Sequence, residues 1–173
     1  MKIIISGAYT IGSYLARLLS RNKQDIVLMD ECSENLEKIS NEADLLTMEG
    51  STTSIKNLKE AGAEDADLFI AVTPDESKNI AACVLAHQLG TKKTVARVDN
   101  PEYVEPSNQE LFHQMGVSSI IYPELLAAKD IINGLKMSWV RQRWDVHDGA
   151  LVMLGIKLRE SCEILDRPLK EIS

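Results

Sequence analysis

The stretch MKIIISGAYTIGSYLARLLSRNKQDIVLMD, residues 1–30, decides how this chain folds. It holds an apolar strand from Lys2 to Ser6, a glycine turn, an amphipathic helix and a second apolar strand from Ile26 to Met29, which Asp30 follows. In a βαβ unit of this kind the turn leaves helix amides free to bind a phosphate, and the carboxylate can accept hydrogen bonds from ribose hydroxyls. These thirty residues therefore predict a nucleotide-binding unit.

The glycine fingerprint of the turn is incomplete. Such units usually carry G-x-G-x-x-G, and here the six positions are filled by Gly7, Ala8, Tyr9, Thr10, Ile11 and Gly12. Tyr9 replaces the middle glycine, which normally lets a pyrophosphate approach the backbone without meeting a Cβ atom. The change leaves the fold prediction intact and weakens the prediction of the ligand.

Four more apolar runs follow, and each interval between them has room for a helix. The predicted strands are Leu45–Met48, Leu68–Val72, Thr94–Val98 and Ser119–Tyr122. The run from Leu68 is continuous, as expected of a central parallel strand that is covered on both faces. Six strands that alternate with helices predict an α/β fold, a doubly wound, Rossmann-like parallel sheet of six strands.

The segment from Pro123 onward does not fit into that sheet. Its predicted helix places apolar residues at steps of three and four, namely Leu125, Ala128, Ile132, Leu135 and Trp139. Because the crossovers already supply covering helices for the sheet, we expect this protruding helix to pack against a second copy of the chain. The alternative is that it folds back onto its own sheet.

The expected domain organisation has three parts. Residues 1–122 form the Rossmann-like nucleotide-binding domain, and residues 123–144 form a crossover or dimerisation helix with a linker. Residues 145–173 form the beginning of a small, truncated C-terminal module, with a strand at Gly149–Leu158 and a further element starting within Ile164–Ile172.

Composition and charge exclude several classes of protein. The 173 residues, 45% of them hydrophobic and 26% charged, suit one well-buried domain with a small addition. A net charge of -7 and a pI near 5.0 disfavour binding to nucleic acid or to an anionic membrane surface, because both need a basic patch. The sequence shows neither a signal peptide nor a membrane-spanning run, and its three scattered cysteines suit a reducing compartment, so we expect a cytosolic protein.

Two motifs give the chain a resemblance to a known family. The first is Ala71, Val72 and Thr73 with Asp75, Glu76 and Asn79, and the second is Ala96–Val98 with Asn100–Tyr103. Together with Ala63–Asp67 and Tyr122–Glu124, they resemble the KTN or RCK family of nucleotide-binding modules, which includes the regulatory subunits of Trk-type potassium uptake systems. The resemblance covers the whole chain.

The resemblance implies a cytoplasmic regulatory subunit that lies at the inner face of the cell membrane. It implies NAD(H) or ATP/ADP as ligand, an integral-membrane potassium transporter as partner, and a dimer or higher homo-oligomer formed through the helix at 123–140. By position, the phosphates would meet Gly7–Gly12 and the ribose would meet Asp30. The adenine side would meet Gly50, Ser51 and Thr52, and the pocket would be completed by Thr73, Pro74 and Arg97. No catalytic or metal-binding residue is expected.

Several residues allow a plainer interpretation. Because Tyr9 and Ser51 depart from the usual pattern, a displaced nucleotide, an AMP-like ligand and an empty site are alternatives to the usual dinucleotide pose. Asp30 could be a solvated carboxylate, and Arg97 suits a phosphate contact or an ion pair with Asp75 or Glu76 about equally. Short polar and acidic residues at the start of a helix usually cap it, so Asp75, Glu76 and Asn79 are not expected to be catalytic. Cys32, near the expected site, is expected to be inert.

Two functions compete with regulation of a transporter. One is an NAD(P)-dependent oxidoreductase whose catalytic domain is missing, and the other is a stand-alone soluble nucleotide sensor. An oxidoreductase would need a substrate domain with a proton donor after the sixth strand, and the sequence there offers neither a His-Asp pair nor a lysine in such a context. The sequence therefore favours a binding module over an enzyme.

Overall fold

The computed structural model describes residues 1–22, 24–41, 43–136, 140–146 and 150–158, together with residues 162, 165 and 168. The chain divides into two compact units, Met1–Glu124 and Leu125–Ser173. Among the described helices, none combines the length and apolar character that crossing a bilayer requires.

The first unit contains a sheet whose neighbouring strands are all parallel, in the order β3-β2-β1-β4-β5-β6. Its strands are β1 Lys2–Ser6, β2 Asp25–Asp30, β3 Leu46–Glu49, β4 Leu68–Ala71, β5 Thr94–Arg97 and β6 Ser119–Ile121. Its α-helices are α1 Thr10–Ser20, α2 Ser33–Ser40, α3 Ile55–Glu60, α4 Glu76–Leu89 and α5 Pro106–Gln114, and two short 3-10 helices lie at Ala63–Asp65 and Pro101–Val104. The predicted doubly wound sheet is confirmed.

Both faces of the sheet are buried, which explains why its central strands are continuously apolar. Successive side chains of a strand point to opposite faces, so Ile4 packs in one core cluster while Ile3 and Ile5 pack in the other. Helices α1 and α2 contribute to the cluster of Ile3 and Ile5, and helices α3, α4 and α5 contribute to the cluster of Ile4.

The strand order reverses at β1, and this reversal positions the candidate site. From β1 the chain runs outward through β2 to β3, and then returns to place β4 on the other side of β1. The connections after β1 and β4 therefore leave in opposite directions and open a crevice at the carboxyl ends of these strands. In open α/β sheets, ligands bind in this crevice.

The second unit contains a helix and a hairpin. Helix α6, Pro123–Lys136, exposes the apolar side chains of Leu126, Ile131, Ile132 and Leu135, while Trp139, predicted for the same stripe, lies outside the described residues. Strands β7, Val140–Val146, and β8, Leu151–Ile156, pair antiparallel. The predicted element at Ile164–Ile172 lies almost wholly outside the described residues.

Strand β7 occupies a segment that the sequence analysis expected to be helix and linker. The stretch Val140–Val146, VRQRWDV, places its charged residues at every second position, which is the period of a strand. The alternation was available in the sequence and was missed, because the apolar stripe of the preceding helix was extended to Trp139. The strand predicted at Gly149–Leu158 is present as β8.

Candidate functional site

A cavity of about 350 Å³ opens at the crevice where the strand order reverses. Its walls come from the ends of β1, β2 and β4 and from the turn between β3 and α3. The lining residues are Gly7, Tyr9, Asp30, Glu31, Cys32, Thr52, Thr73, Pro74, Asp75 and Lys78. The volume lies within the range of pockets that bind small ligands, roughly 300–1,000 Å³.

Six of the thirteen predicted site residues line this cavity: Gly7, Tyr9, Asp30, Thr52, Thr73 and Pro74. The other seven lie around it. Ala8 and Thr10 line a second hollow with residues of α1 and α2, and Ile11 and Gly12 follow in the first turn of α1. Gly50 and Ser51 lie in the turn after β3, and Arg97 ends β5.

The two glycines that remain in the turn are required by close contacts. Gly7 has a φ angle of 102°, which favours glycine, and a Cβ atom there would lie 2.9 Å from the backbone nitrogen of Thr73. A Cβ atom at Gly12 would overlap the carbonyl oxygen of Gly7. The turn can therefore pass closely between α1 and the end of β4 only because both positions lack a side chain.

Position 9, where the fingerprint usually has its middle glycine, does not require glycine here. Tyr9 has φ -74° and ψ -171°, an ordinary extended conformation, and it is the residue that immediately precedes α1. Its side chain is 48% exposed and borders both the cavity and the second hollow. The tyrosine is therefore compatible with the fold, and its side chain lies at the edge of the cavity beside the start of α1.

Asp30 connects β2 to the glycine turn. Its carboxylate is buried, and Oδ2 accepts a hydrogen bond of 2.6 Å from the backbone amide of Ala8 while Oδ1 accepts one of 2.8 Å from the amide of Cys32. The solvated carboxylate considered from the sequence is therefore not what the structure contains. Each oxygen keeps a second lone pair, so Asp30 can still accept a hydrogen bond from a ligand hydroxyl.

Thr52 carries the clearest sign of a missing partner. Its side chain is 2% exposed and lines the cavity, yet within the described part of the chain its Oγ1 atom has no hydrogen-bond partner. Leaving a buried hydroxyl unpaired costs free energy, so native proteins pair nearly all such groups with protein, water or ligand. Thr52 therefore combines a place in the cavity lining with a hydroxyl that the described protein groups leave unpaired.

Asn79 holds the carboxyl ends of β4 and β5 together. Its buried Oδ1 atom accepts hydrogen bonds from the amide (2.9 Å) and the hydroxyl (2.6 Å) of Thr73. Its Nδ2 atom donates to the carbonyl oxygens of Thr73 and Arg97, at 2.9 Å each. Asp75 caps α4 by accepting from the amide of Lys78, as the sequence predicts.

Arg97 forms an ion pair, but with a partner that the sequence analysis did not consider. Its guanidinium lies 2.7 Å from Asp99, whereas Glu76 accepts hydrogen bonds from the backbone amides of Asp99 and Asn100 at 2.9 Å each. Of the two alternatives left open for Arg97, the structure contains an ion pair, but with Asp99 and not with Asp75 or Glu76, because the turn after β5 brings Asp99 closer. Arg97 is absent from the lining of the cavity.

An ion pair that the sequence did not predict also lies at the cavity. Lys78 Nζ lies 2.6 Å from Oε1 of Glu31, and Glu31 also accepts a hydrogen bond from Ser51. These two hydrogen bonds, the one from Lys78 first, lower the pKa of Glu31 below its ordinary value. Both charged residues follow strands that flank β1, so the rule that ligands bind at the carboxyl ends of strands could have drawn attention to them.

Two of the cysteines differ in their setting. Cys32 is half-buried in the cavity wall, whereas Cys83 lies in the core, where burial raises the pKa of its thiol to about 12. Among the described residues, no group of three or more His, Cys, Asp or Glu side chains could hold a metal ion.

A doubly wound parallel sheet with a ligand-sized cavity where its strand order reverses defines a Rossmann-like domain. The TrkA-N domain family model matches residues 3–123, and the chain belongs to this family.

Curated relatives carry the same family name. The chain is 35% identical over 131 residues to the Trk system potassium uptake protein TrkA homolog of Archaeoglobus fulgidus, and 38% identical over 134 residues to the Trk system potassium uptake protein TrkA of Haemophilus influenzae. The matches cover 75% and 76% of this chain and 29% of each relative. The chain therefore spans less than a third of the length of these two proteins.

Solved structures share the fold. The TrkA-N domain of inner membrane protein ybaL from Escherichia coli has a TM-score of 0.68 at 15% identity, over 78% of this chain and 96% of that one. The Shewanella denitrificans Kef CTD in AMP bound form has a TM-score of 0.60 at 22% identity, over 80% and 82% of the two chains. The GsuK channel bound to NAD has a TM-score of 0.59 at 19% identity, over 69% and 21%.

The Asn79 network gives a test of what holds the site together. Replacing Asn79 with Ala leaves the buried amide of Thr73 and two carbonyl oxygens without partners, so we expect the free energy of unfolding to fall by about 2–4 kcal/mol. Urea denaturation followed by circular dichroism measures this change. Asn22→Ala, at an exposed position with one weak hydrogen bond, is the control and should change stability by less than about 0.5 kcal/mol. Equal effects of the two substitutions would contradict the assigned role.

Proposed function

We propose that this chain is the nucleotide-sensing module of a regulatory subunit that acts on a potassium uptake transporter in the membrane. The observation that carries the proposal is the Thr52 hydroxyl, which is buried and unpartnered among the described residues in a cavity at the strand reversal of a TrkA-N domain. Binding of a ligand in this cavity changes how paired domains are arranged, and that arrangement controls the transporter.

The ligand is an adenine nucleotide, with NAD(H), ATP, ADP and AMP as the candidates. Support comes from structural neighbours, which are described as the GsuK channel bound to NAD, GsuK bound to ADP, and a Kef CTD in AMP bound form. In this arrangement the phosphate lies against the turn that starts at Gly7 and the amides at the start of α1. The ribose meets the free lone pairs of Asp30, and the purine side reaches Thr52.

The composition of the cavity supports binding without catalysis. No histidine is among its lining residues, and the carboxylates of Asp30 and Asp75 already accept hydrogen bonds from backbone amides. A general base needs an uncommitted group with a suitable pKa within reach of the substrate. The oxidoreductase alternative rests on the fold alone, and folds of this type serve many functions.

The transporter partner is inferred from the relatives, which are named as Trk system potassium uptake proteins and extend well beyond the matched region. We place the module at the cytoplasmic face of the membrane, against an integral-membrane subunit. A ligand can control such a partner only to the extent that it binds one arrangement of the domains better than the other. The cavity provides the ligand-binding half of this coupling.

The paired arrangement is formed through α6. This helix exposes Ile131 and Leu135, 63% and 78% accessible, on one side at a spacing of four residues. Exposed apolar stripes of this kind commonly mark an interface, and a second copy of the same helix provides a self-complementary partner. The homo-oligomer is thus a dimer, or a higher assembly built from dimers.

The ligand proposal is tested by isothermal titration of the chain with NADH, NAD, ATP, ADP and AMP. We expect at least one of them to bind, and Thr52→Val to weaken that binding about three- to tenfold because a hydrogen bond to the ligand is lost. The matched control is Thr47→Val, an exposed threonine of β3 that does not line the cavity, which should leave the affinity unchanged. Absence of binding by all five nucleotides would contradict the proposed function.

Tyr9 has a separate predicted effect on the same titration. Because its ring borders the cavity beside the start of α1, Tyr9→Gly should bind NADH at least as tightly as the unmodified chain. Tyr14→Ala removes an exposed ring within α1 and controls for loss of surface area. If Tyr9→Gly clearly lost affinity, the ring would be a ligand contact instead of an obstruction.

The role of α6 is tested by size-exclusion chromatography with light scattering. The double substitution Ile131→Glu and Leu135→Glu places two charges in the apolar stripe, so the dimer should dissociate to a monomer. Lys129→Glu changes a polar position on the same helix and should leave the dimer intact. A dimer that survives the double substitution would rule out α6 as the interface.

A further inference from the structure

The charged side chains that line the cavity are mostly negative, which is unfavourable for an anionic ligand. Asp30, Glu31 and Asp75 contribute three carboxylates, and Lys78 contributes the single ammonium group among the lining residues. A nucleotide phosphate would bring further negative charge into this space, and like charges at short range repel. An anionic ligand therefore needs the positive charge of Lys78, and Lys78 already forms an ion pair with Glu31.

The position of this ion pair relates it to the expected phosphate site. Lys78 lies in the first turn of α4, which follows β4, and Glu31 directly follows β2. Strands β2 and β4 flank β1, so the 2.6 Å contact between Lys78 Nζ and Glu31 Oε1 spans the crevice beyond the end of β1, where the glycine turn begins. All three elements line the same cavity.

We infer that Lys78 is the counter-ion for a phosphate group of the bound nucleotide, and that Glu31 occupies its place when the cavity is empty. The inference rests on the proposed function and adds the residue that distinguishes a nucleotide from an uncharged nucleoside. The side chains of Lys78 and Glu31 are 26% and 51% exposed, and ion pairs at such exposure contribute little stability, so exchanging one anion for another is easily reversed. A phosphate oxygen can accept the same kind of charge-assisted hydrogen bond from Lys78.

The exchange has a structural consequence. Glu31 links three segments, because it pairs with Lys78 of α4 and accepts a hydrogen bond from Ser51 of the turn after β3. When a phosphate takes Lys78, the loop after β2 and the turn after β3 lose their connection to α4. The charge of the ligand, and not only its presence, then determines how these loops are held.

The test compares adenosine with whichever of AMP, ADP and NADH binds, by isothermal titration at fixed low salt. Lys78→Gln should weaken binding of the nucleotide about tenfold and leave adenosine within about twofold of the unmodified chain. Glu31→Gln should tighten nucleotide binding about threefold, because the competing carboxylate is gone, and should not change adenosine. In the double variant the gain from Glu31→Gln should disappear.

Lys92→Gln is the matched control. Lys92 forms a lysine–carboxylate pair of the same 2.6 Å length with Asp67, is itself exposed and does not line the cavity, so its loss should change neither affinity. Two results would overturn the inference while leaving nucleotide binding in place: no effect of Lys78→Gln, or an equal loss of nucleotide and adenosine. If none of the nucleotides binds the unmodified chain, the proposed function fails, and this inference fails with it.

Discussion

The close passage of the glycine turn over the end of β4 is the constraint on which the rest of the site depends. Gly7 leaves no room for a Cβ atom against the backbone of Thr73, and Gly12 leaves none against the carbonyl oxygen of Gly7. With these contacts in place, α1 begins directly after Tyr9, which lines the cavity. The substitution of Tyr9 for the middle glycine does not disturb this packing, since its backbone is ordinary extended chain.

Two buried polar side chains stabilise the loops around the cavity, and we call them the frame of the site. Asp30 binds the amides of the glycine turn and of the loop after β2, and Asn79 binds the ends of β4 and β5. Because these hydrogen bonds go mainly to backbone groups, they hold the loops in register. The cavity lining outside this frame includes Thr52, Tyr9 and the Glu31–Lys78 pair.

This division between frame and edge is what the proposed ligand-sensing role of this TrkA-N family member would require. A rigid frame positions the cavity, while a weak, exposed ion pair across its mouth can change partner without disturbing the core. The cavity holds carboxylates that already accept backbone hydrogen bonds and an unpaired hydroxyl, a set suited to recognition. Coupling to a second copy through α6 and to a membrane partner would convert occupancy into a signal.

The sequence by itself determined the six strands, their order of appearance and most of the cavity wall, because hydrophobic periodicity and glycine turns are encoded within short stretches. The alternation of charged residues that marks strand β7 is also a local pattern, but it was overlooked. Only the tertiary structure decided which side chains meet. Glu31 meets Lys78 across β1, because the strand order brings together two residues that are far apart in sequence. Arg97 pairs with its near neighbour Asp99 instead of Asp75 or Glu76, because the geometry of the turn after β5 selects that partner.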